Sequence, residues 1–319
     1  MTAVAAERAP SGARVALSTG FAHAVHDGIT SATYLLLPLV QAPLGLALVE
    51  VGVLRSLQSG ALAIFQLPSS LLGERMGARR LLVLGTAAMG LTYALLALAP
   101  GFWSLALLLF LTGLASSVQH PLSATLVTQS AGAAHRTAMG VYNFGGDVGK
   151  VALPALFGLA AGLYDWRLGV AVCGLVALAS AMVLRWTVPE THAAGGKRET
   201  ADKVPLWAPL KSRGYAALAS LAMIDSGTRA AFMVFLPFHL SAKGADVELI
   251  GLALALIFGG GAAGKLVCGW LADRIGMIPT AVATEIGTAV MILLTVPMEP
   301  VAVLPLLPLL GVMLNGTSS

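Results

Sequence analysis

Long apolar blocks separated by short polar connections run along the whole chain. Each block approaches the ~20 residues that a helix needs to cross about 30 Å of hydrocarbon. Buried strands are disfavoured, because the runs are too long and an open sheet edge cannot lie in lipid. The pattern predicts an all-α polytopic membrane protein. Its ten predicted spans lie near residues 15–40, 46–72, 81–99, 103–129, 138–163, 167–187, 214–240, 249–272, 280–297 and 301–319.

The composition strengthens this prediction and excludes several other classes of protein. Hydrophobic residues make up 57% of the chain and charged residues 11%, whereas soluble proteins are roughly half apolar and a quarter charged. Cys173 and Cys268 lie in separate apolar blocks, so neither a disulfide scaffold nor a thiolate metal site has the spacing it needs. We expect packing roles for both, and no metal, cofactor or nucleic-acid partner.

The basic residues fall mainly on one side of the predicted spans. If residues 1–14 are a cytoplasmic tail, this tail and the connections on the same side hold 13 of the 19 lysines and arginines. The connections on the opposite side of the membrane hold only Arg167 and Lys243. The positive-inside rule then places the amino terminus in the cytoplasm. The 13 residues are Arg8, Arg14, Arg75, Arg79, Arg80, Arg136, Arg185, Lys197, Arg198, Lys203, Lys211, Arg213 and Arg274.

One long polar stretch and one repeat divide the chain in two. Residues 188–213 are rich in charge, proline and glycine, and we predict a cytoplasmic loop between a six-helix bundle at 15–187 and a partial bundle at 214–319. The segment SLLGERMG at residues 70–77 recurs as GWLADRIG at 269–276, an offset of 199 positions from residue 77 to residue 276. A turn duplicated at equivalent places indicates internal structural repeats.

This arrangement resembles the major facilitator superfamily, whose signature after helices 2 and 8 is similar to G-x-L-[GA]-[DE]-R-x-G-[RK]-[RK]. The first copy has Ser70 at the leading glycine, and the second has Ile278 and Pro279 instead of the basic pair. Three stretches resemble the fosmidomycin-resistance branch more closely: HAVHD at 23–27, SSVQHP at 116–121 and NFGGDVG at 143–149. The resemblance implies about twelve helices, so we expect the chain to be incomplete at its carboxyl end.

Four acids and four bases fall inside the predicted spans. Burying each in lipid costs at least a few kcal/mol, so we expect them to face the bundle interior, pair and line a pathway. The acids are Asp27, Asp147, Asp225 and Glu285, and the bases are Arg55, Lys150, Arg229 and Lys265.

The first span carries a polar stripe at helical spacing, formed by His23, Asp27, Thr30 and Tyr34 with His26 beside it. A carboxylate in a partly dry cavity holds its proton more strongly, and a neighbouring cation weakens that hold. We therefore predict a proton relay of His23, His26, Asp27 and Asp147. The alternative is a structural hydrogen bond or ion pair between helices.

The substrate cavity is predicted from the other charged and polar positions. Asp147 with Lys150 and Asp225 with Arg229 have the spacing of intrahelical pairs, which is also compatible with a purely structural role. Arg55 has no acid at helical spacing, so we expect Asp27 or Asp147 to pair with it. The predicted cavity residues are Arg55, His120, Asn143, Lys150, Asp225, Arg229 and Lys265.

The fourth span offers one more polar face. Gly113, Ser117 and His120 share that face, and Pro121 can free a backbone carbonyl toward the cavity. Either substrate contact or small-residue packing explains Gly113 and Ser117.

The two repeated turns are implied by the resemblance to be conformational latches that contact the opposite half. The alternative is anchoring of the helix ends by charge. The latch residues are Glu74, Arg75, Gly77, Asp273, Arg274 and Gly276.

Two other motifs are set aside. Residues 259–265 have the spacing of a phosphate-binding loop, but Leu266 replaces the hydroxyl residue and the run lies within a helix, which favours glycine-rich packing. An Asn-Gly-Thr triplet at 315–317 lies in the last span, where it would not be glycosylated.

The function expected from these features is proton-coupled secondary transport by alternating access, in the plasma membrane, by a monomer. The resemblance implies export of a small drug-like or metabolic compound by antiport. An importer of an anionic metabolite held by Arg55, Arg229 and Lys265 is one alternative, and a non-transporting fragment is another. No nucleophile-base or metal constellation indicates an enzyme.

Overall fold

The structure is a computed structural model, and it describes residues 12–189 and 212–314. Arg8 with most of the predicted tail, most of the predicted central loop and the triplet at 315–317 lie outside the described residues.

The described chain is almost entirely helical and holds no strand, which confirms the predicted all-α fold. Two of the predicted spans, 103–129 and 301–319, each correspond to two shorter helices. The helices are α1 (Gly12–Gln41), α2 (Leu48–Met76), α3 (Ala78–Leu95), α4 (Phe102–Ser116), α5 (Gln119–Ala131), α6 (His135–Leu163), α7 (Trp166–Thr187), α8 (Arg213–Ala242), α9 (Val247–Ile275), α10 (Met277–Thr295), α11 (Pro300–Val303) and α12 (Leu307–Leu314).

Seven helical stretches of the described chain are long and apolar enough to cross a membrane. One of them, Phe102–Leu163, contains 62 residues and is long enough for two crossings. It includes the break between α4 and α5 at Ser117 and Val118. Pro121 follows the break and lacks the N–H that would bind the Ser117 carbonyl, so the predicted effect of this proline coincides with the end of α4.

Glycines bring α1 and α6 into backbone contact. A Cβ atom at Gly149 would lie 1.8 Å from the carbonyl oxygen of Ala24, and one at Gly28 would lie 2.7 Å from that of Gly149. Gly145 packs in the same way on Gly20. Small residues four positions apart are the usual means of such close approach between membrane helices. The contact places the acidic face of α1 beside the charged residues of α6.

The two copies of the repeated turn have the same backbone shape. Gly77 ends α2 with φ 92° and ψ 129°, and Gly276 ends α9 with φ 94° and ψ 157°. Only glycine adopts these angles without strain, which explains the last glycine of each copy.

The glycine-rich run of α9 is a packing surface, as the sequence predicted. A Cβ atom at Gly260 would lie 2.0 Å from the Pro308 carbonyl oxygen, and one at Gly311 would lie 2.1 Å from that of Ile257. α9 and α12 are thereby held together within the second group of helices, α8–α12.

The second group meets the first, α1–α7, at the carboxyl end of α1. Leu36 and Leu37 belong to one buried apolar cluster with Leu236, Leu240 and Leu254. On the neighbouring interface, α6 and α9 approach so closely that a Cβ atom at Gly158 would lie 3.6 Å from the Cα atom of Gly251. This end of the molecule is closed.

Candidate functional site

A cavity of about 310 Å³ lies between the two groups of helices. Its volume is at the lower end of the usual range for small-molecule sites. Six of the eleven predicted relay and cavity residues line it, while residues of α8, α9 and α12 complete its apolar wall. The polar wall comprises Asp27, Thr30, Ser31, Tyr34, Arg55, His120, Asp147, Lys150 and Arg229.

Alternating acids and bases form a continuous ion-pair chain from α1 to α9. Lys150 Nζ lies 3.1 Å from Asp27 Oδ2 and 3.7 Å from Asp147 Oδ1. Lys265 Nζ donates to Asp147 Oδ1 at 2.6 Å and to Oδ2 at 2.8 Å. Because Asp147 is on α6 and Lys265 is on α9, this pair joins the two groups of helices across the cavity. The predicted pairing of Asp147 with Lys150 is present, but at 3.7 Å it is longer than the contact of Asp147 with Lys265.

His23 extends the chain at its α1 end. Its Nδ1 lies 3.0 Å from the carbonyl oxygen of Tyr142, which can only accept, so Nδ1 carries a hydrogen. Its Nε2 lies 3.2 Å from Asp27 Oδ2, and its ring stacks on that of Tyr142 at 4.3 Å. If His23 and Asp27 were both deprotonated here, a lone pair would face a carboxylate. A proton bound at this place would lie between the two side chains.

His120 is the second imidazole at this carboxylate. Its Nε2 lies 3.7 Å from Asp27 Oδ1, and the side chain is 42% exposed and lines the cavity. His120 thus connects Asp27 to the open space of the cavity.

His26 points away from the cavity, so the structure separates it from the other predicted relay residues. Its Nε2 lies 3.0 Å from Thr86 Oγ1, and that hydroxyl donates to the Leu82 carbonyl, so it accepts from His26. His26 is buried between α1 and α3. Its position fits packing and a helix-to-helix hydrogen bond.

The expected pairing of Arg55 with Asp27 or Asp147 is wrong. Arg55 Nη1 instead donates to the Thr30 carbonyl oxygen at 3.1 Å and to Gln58 Oε1 at 2.6 Å. The guanidinium also lies 4.1 Å above the Tyr34 ring. Asp27 is paired with Lys150 of α6, and Asp147 with Lys265 of α9. Arg55 instead contacts α1 at Thr30, three residues after Asp27.

The pair of Asp225 and Arg229 is confirmed, with Arg229 Nη2 donating to Asp225 Oδ2 at 2.5 Å. Glu285 of α10 interacts with both residues. Arg229 alone of the three lines the cavity.

Three other predicted positions lie outside the cavity wall. Asn143 is exposed and does not line the cavity. A Cβ atom at Gly113 would lie 2.1 Å from the Gln58 carbonyl oxygen, and Ser117 Oγ lies 2.6 Å from Ser69 Oγ. Packing between α2 and α4 therefore accounts for Gly113 and Ser117.

In the described part of the chain, the predicted latch side chains form no ion pair with the opposite group of helices. Within residues 12–189 and 212–314, Glu74, Arg75 and Asp273 form no ion pair, and Arg274 lies 4.3 Å above the Trp270 ring of its own helix.

His23, Asp27 and His120 could in principle hold a metal ion. Their ligand atoms lie within 4.8 Å of one another. However, the Lys150 ammonium is 3.1 Å from the same carboxylate and already neutralises it. A divalent cation would have to displace this lysine, so the arrangement favours ion pairs and a proton over a resident metal.

Tyr142 and Gln58 are site residues that the sequence reasoning missed. Tyr142 acts through its backbone carbonyl, which no side-chain pattern reveals. Gln58 could have been found, because it lies three positions after Arg55 on the same helix face.

Two curated proteins are similar to this chain in sequence. The sequence is 25% identical over 253 residues to the membrane sensor protein UhpC of Salmonella typhimurium, covering 71% of this chain and 56% of that protein. It is 25% identical over 276 residues to the fosmidomycin resistance protein of Escherichia coli, covering 80% and 64%. The chain thus spans less than two thirds of the length of either relative.

Solved structures share the fold. The nucleoside transporter NupG superposes with a TM-score of 0.81 at 13% identity, over 95% of this chain and 79% of that chain. A bacterial homologue of the human lysosomal transporter Spinster, in an inward-facing and occupied conformation, gives a TM-score of 0.72 at 17% identity, over 95% and 72%. The sequence profile of the Major Facilitator Superfamily matches residues 19–319. The chain belongs to the Major Facilitator Superfamily, whose members are multi-pass membrane proteins.

Proposed function

We propose that this protein is a proton-coupled secondary transporter that moves a small compound by alternating access. The observation that carries the proposal is the chain of contacts from His23 through Asp27, Lys150 and Asp147 to Lys265. It begins at a proton-binding pair and ends at the contact between the two groups of helices. Protonation and movement can therefore be coupled through four neighbouring charges.

The proton acts first at Asp27. A proton on this carboxylate removes the charge that holds Lys150, and two unit charges about 4 Å apart interact by roughly 4 kcal/mol at an effective dielectric constant near 20. Lys150 then shifts its attraction to Asp147, where it competes with Lys265. The bridge between α6 and α9 is weakened as a result.

The closed end and the disengaged turns support two alternating states. The groups of helices pack at the carboxyl end of α1, while at the other end the latch residues of the two turns form no ion pair with any residue that the structure describes. In the alternate state the latch residues, Glu74 with Arg75 and Asp273 with Arg274, would contact the opposite half. The residue ranges 15–187 and 214–319 would then move as units.

The proposal extends to the protein's setting in the cell. We place it in the plasma membrane as a monomer with a cytoplasmic amino terminus. Basic residues of the turn after α2 and of the end of α7 support this orientation. Arg79 donates to the Arg185 carbonyl, so these two arginines lie at the same end of the helices, and the positive-inside rule assigns that end to the cytoplasm.

Export by antiport is the direction we favour, because the fosmidomycin resistance protein is among the relatives. Import of an anionic metabolite is the second candidate, and Arg55, which lacks a carboxylate partner in the described chain, favours an anionic compound. Asp27 serves as proton acceptor in either direction.

The test uses fosmidomycin as the probe and membrane vesicles of known orientation. We expect inside-out vesicles carrying the protein to accumulate the probe under a proton gradient, and Asp27→Asn to abolish this at unchanged expression. Asp165→Asn is the matched control, since Asp165 is an exposed cap of α7 and asparagine caps equally well. Full transport by the Asp27→Asn protein would contradict the relay, and accumulation in right-side-out vesicles alone would support import.

A further inference from the structure

Arg55 is a buried cation whose charge no carboxylate balances within the described parts of the chain. It is 7% exposed. The other three intramembrane bases each have an acid close by, at 3.1 Å for Lys150, 2.5 Å for Arg229 and 2.6 Å for Lys265. A buried charge without a counter-ion costs several kcal/mol. That cost is offset if an anion binds there during the working cycle.

One edge of the guanidinium has no hydrogen-bond partner in the described parts of the chain. Both recorded hydrogen bonds of Arg55 come from Nη1. Nε is buried without a partner, and Nη2 has none among residues 12–189 and 212–314. The Nε and Nη2 hydrogens point in parallel and match the spacing of two oxygens of a carboxylate or phosphonate.

The surroundings hold this edge in position. Nη1 is tied to α1 through the Thr30 carbonyl and to α2 through Gln58, which in turn donates to Thr33 Oγ1 at 3.3 Å. The Tyr34 ring supports the guanidinium plane from below. An anion arriving from the cavity would thus meet a rigid donor pair, and little entropy would be lost on ordering it.

The opposite wall of the cavity is apolar, with Met233, Ile257 and Phe258 among its residues. A compound that fits both walls carries an oxyanion at one end and an apolar body at the other. We infer that the Nε and Nη2 edge of Arg55 is the subsite for a carboxylate or phosphonate group of the transported compound. The inference rests on the proposed transport function, but it assigns anion binding to Arg55 alone, with Arg229 and Lys265 committed to their own acids.

Binding to the purified full chain tests this subsite without any proton gradient. Isothermal titration calorimetry would measure the affinities for phenylphosphonate, benzoate and the neutral benzyl alcohol. We expect the wild-type protein to bind at least one anion ten or more times as tightly as the alcohol, and the two anions report whether phosphonate or carboxylate fits better. Arg55→Lys and Arg55→Gln should each lose this preference, because neither offers the paired donors.

Arg167→Gln is the control, since Arg167 is an exposed arginine paired with Asp165 at the start of α7. It should keep the wild-type preference. Equal affinity of the wild-type protein for anions and alcohol would overturn the inference even if the Arg55 variants failed to fold. Retained anion preference in either folded Arg55 variant would also overturn it. Proton-independent transport with intact anion preference would sink only the proposed coupling, so the two failures are distinguishable.

Discussion

A backbone carbonyl decides what the two neighbouring histidines of α1 can do. The Tyr142 carbonyl fixes the hydrogen of His23 on Nδ1 and leaves Nε2 directed at Asp27, 3.2 Å away. His26, three residues later, turns toward α3 and uses Thr86. Identical side chains on one helix thus have different chemistry, because the partners that face them differ.

Substitution of each histidine by asparagine should separate these roles. The asparagine amide nitrogen lies near the position of Nδ1, so His23→Asn keeps a donor for the Tyr142 carbonyl but cannot carry a proton, and we expect loss of proton uptake with a nearly unchanged unfolding temperature. His26→Asn is too short to reach Thr86 from the position of Nε2, so it should keep proton uptake and lose about 1 kcal/mol of stability with that hydrogen bond. Proton uptake on addition of the transported compound, followed with a pH-sensitive dye, and thermal unfolding measure the two effects. Coupled uptake by the His23→Asn protein would contradict the assignment.

At the scale of elements, the contact between α1 and α6 positions the ion pairs. Gly28 and Gly149 allow the helices to touch through their backbones. Asp27 directly precedes Gly28, and Lys150 directly follows Gly149. The motif that first resembled the fosmidomycin-resistance branch, NFGGDVG, therefore combines packing glycines with one charged residue. Its glycines set the distance at which Asp147 and Lys150 act.

Gly149→Ala should push α1 and α6 apart, because the new Cβ atom would lie 1.8 Å from the Ala24 carbonyl oxygen. Overpacking of this kind costs typically 1–3 kcal/mol, so we expect a clear fall in unfolding temperature and weaker transport, with magnitudes on the order of that range. Gly140→Ala is the matched control on the same helix, where a Cβ atom meets nothing within 4 Å. The control should be neutral or slightly stabilising, because alanine favours a helix over glycine. Equal effects of the two substitutions would refute the role of close contact.

For the whole molecule, the sequence predicted the helices and their repeat but not the contacts between distant ones. Period and length were enough to predict the helical segments, because the bilayer demands them, although two of the ten predicted spans are each divided into two helices. Charge balance indicated that the intramembrane acids and bases pair, yet Lys265 with Asp147 joins helices 118 positions apart, and no periodicity encodes that match. The pairing of Arg55 was predicted wrongly for the same reason, because its contact with Thr30 depends on which helices are neighbours. A helix pattern gives the face of a residue, whereas the partner depends on which helices become neighbours.

Alternating access requires the closed end of the molecule to open, and a disulfide there should stop it. Gly158 and Gly251 face each other across α6 and α9, with each Cβ position 3.6 Å from the opposite Cα atom. Cysteines at these two positions would therefore be direct neighbours across the interface, within the reach of a disulfide bond. We expect the protein with Gly158→Cys and Gly251→Cys to transport when reduced, to lose nearly all flux when oxidised, and to recover with reductant. Each single cysteine variant controls for the substitution itself, because neither can form the bond between helices. Undiminished flux through the cross-linked protein would mean that this interface stays shut throughout the cycle, and the compound would then have to leave by the end at which it entered.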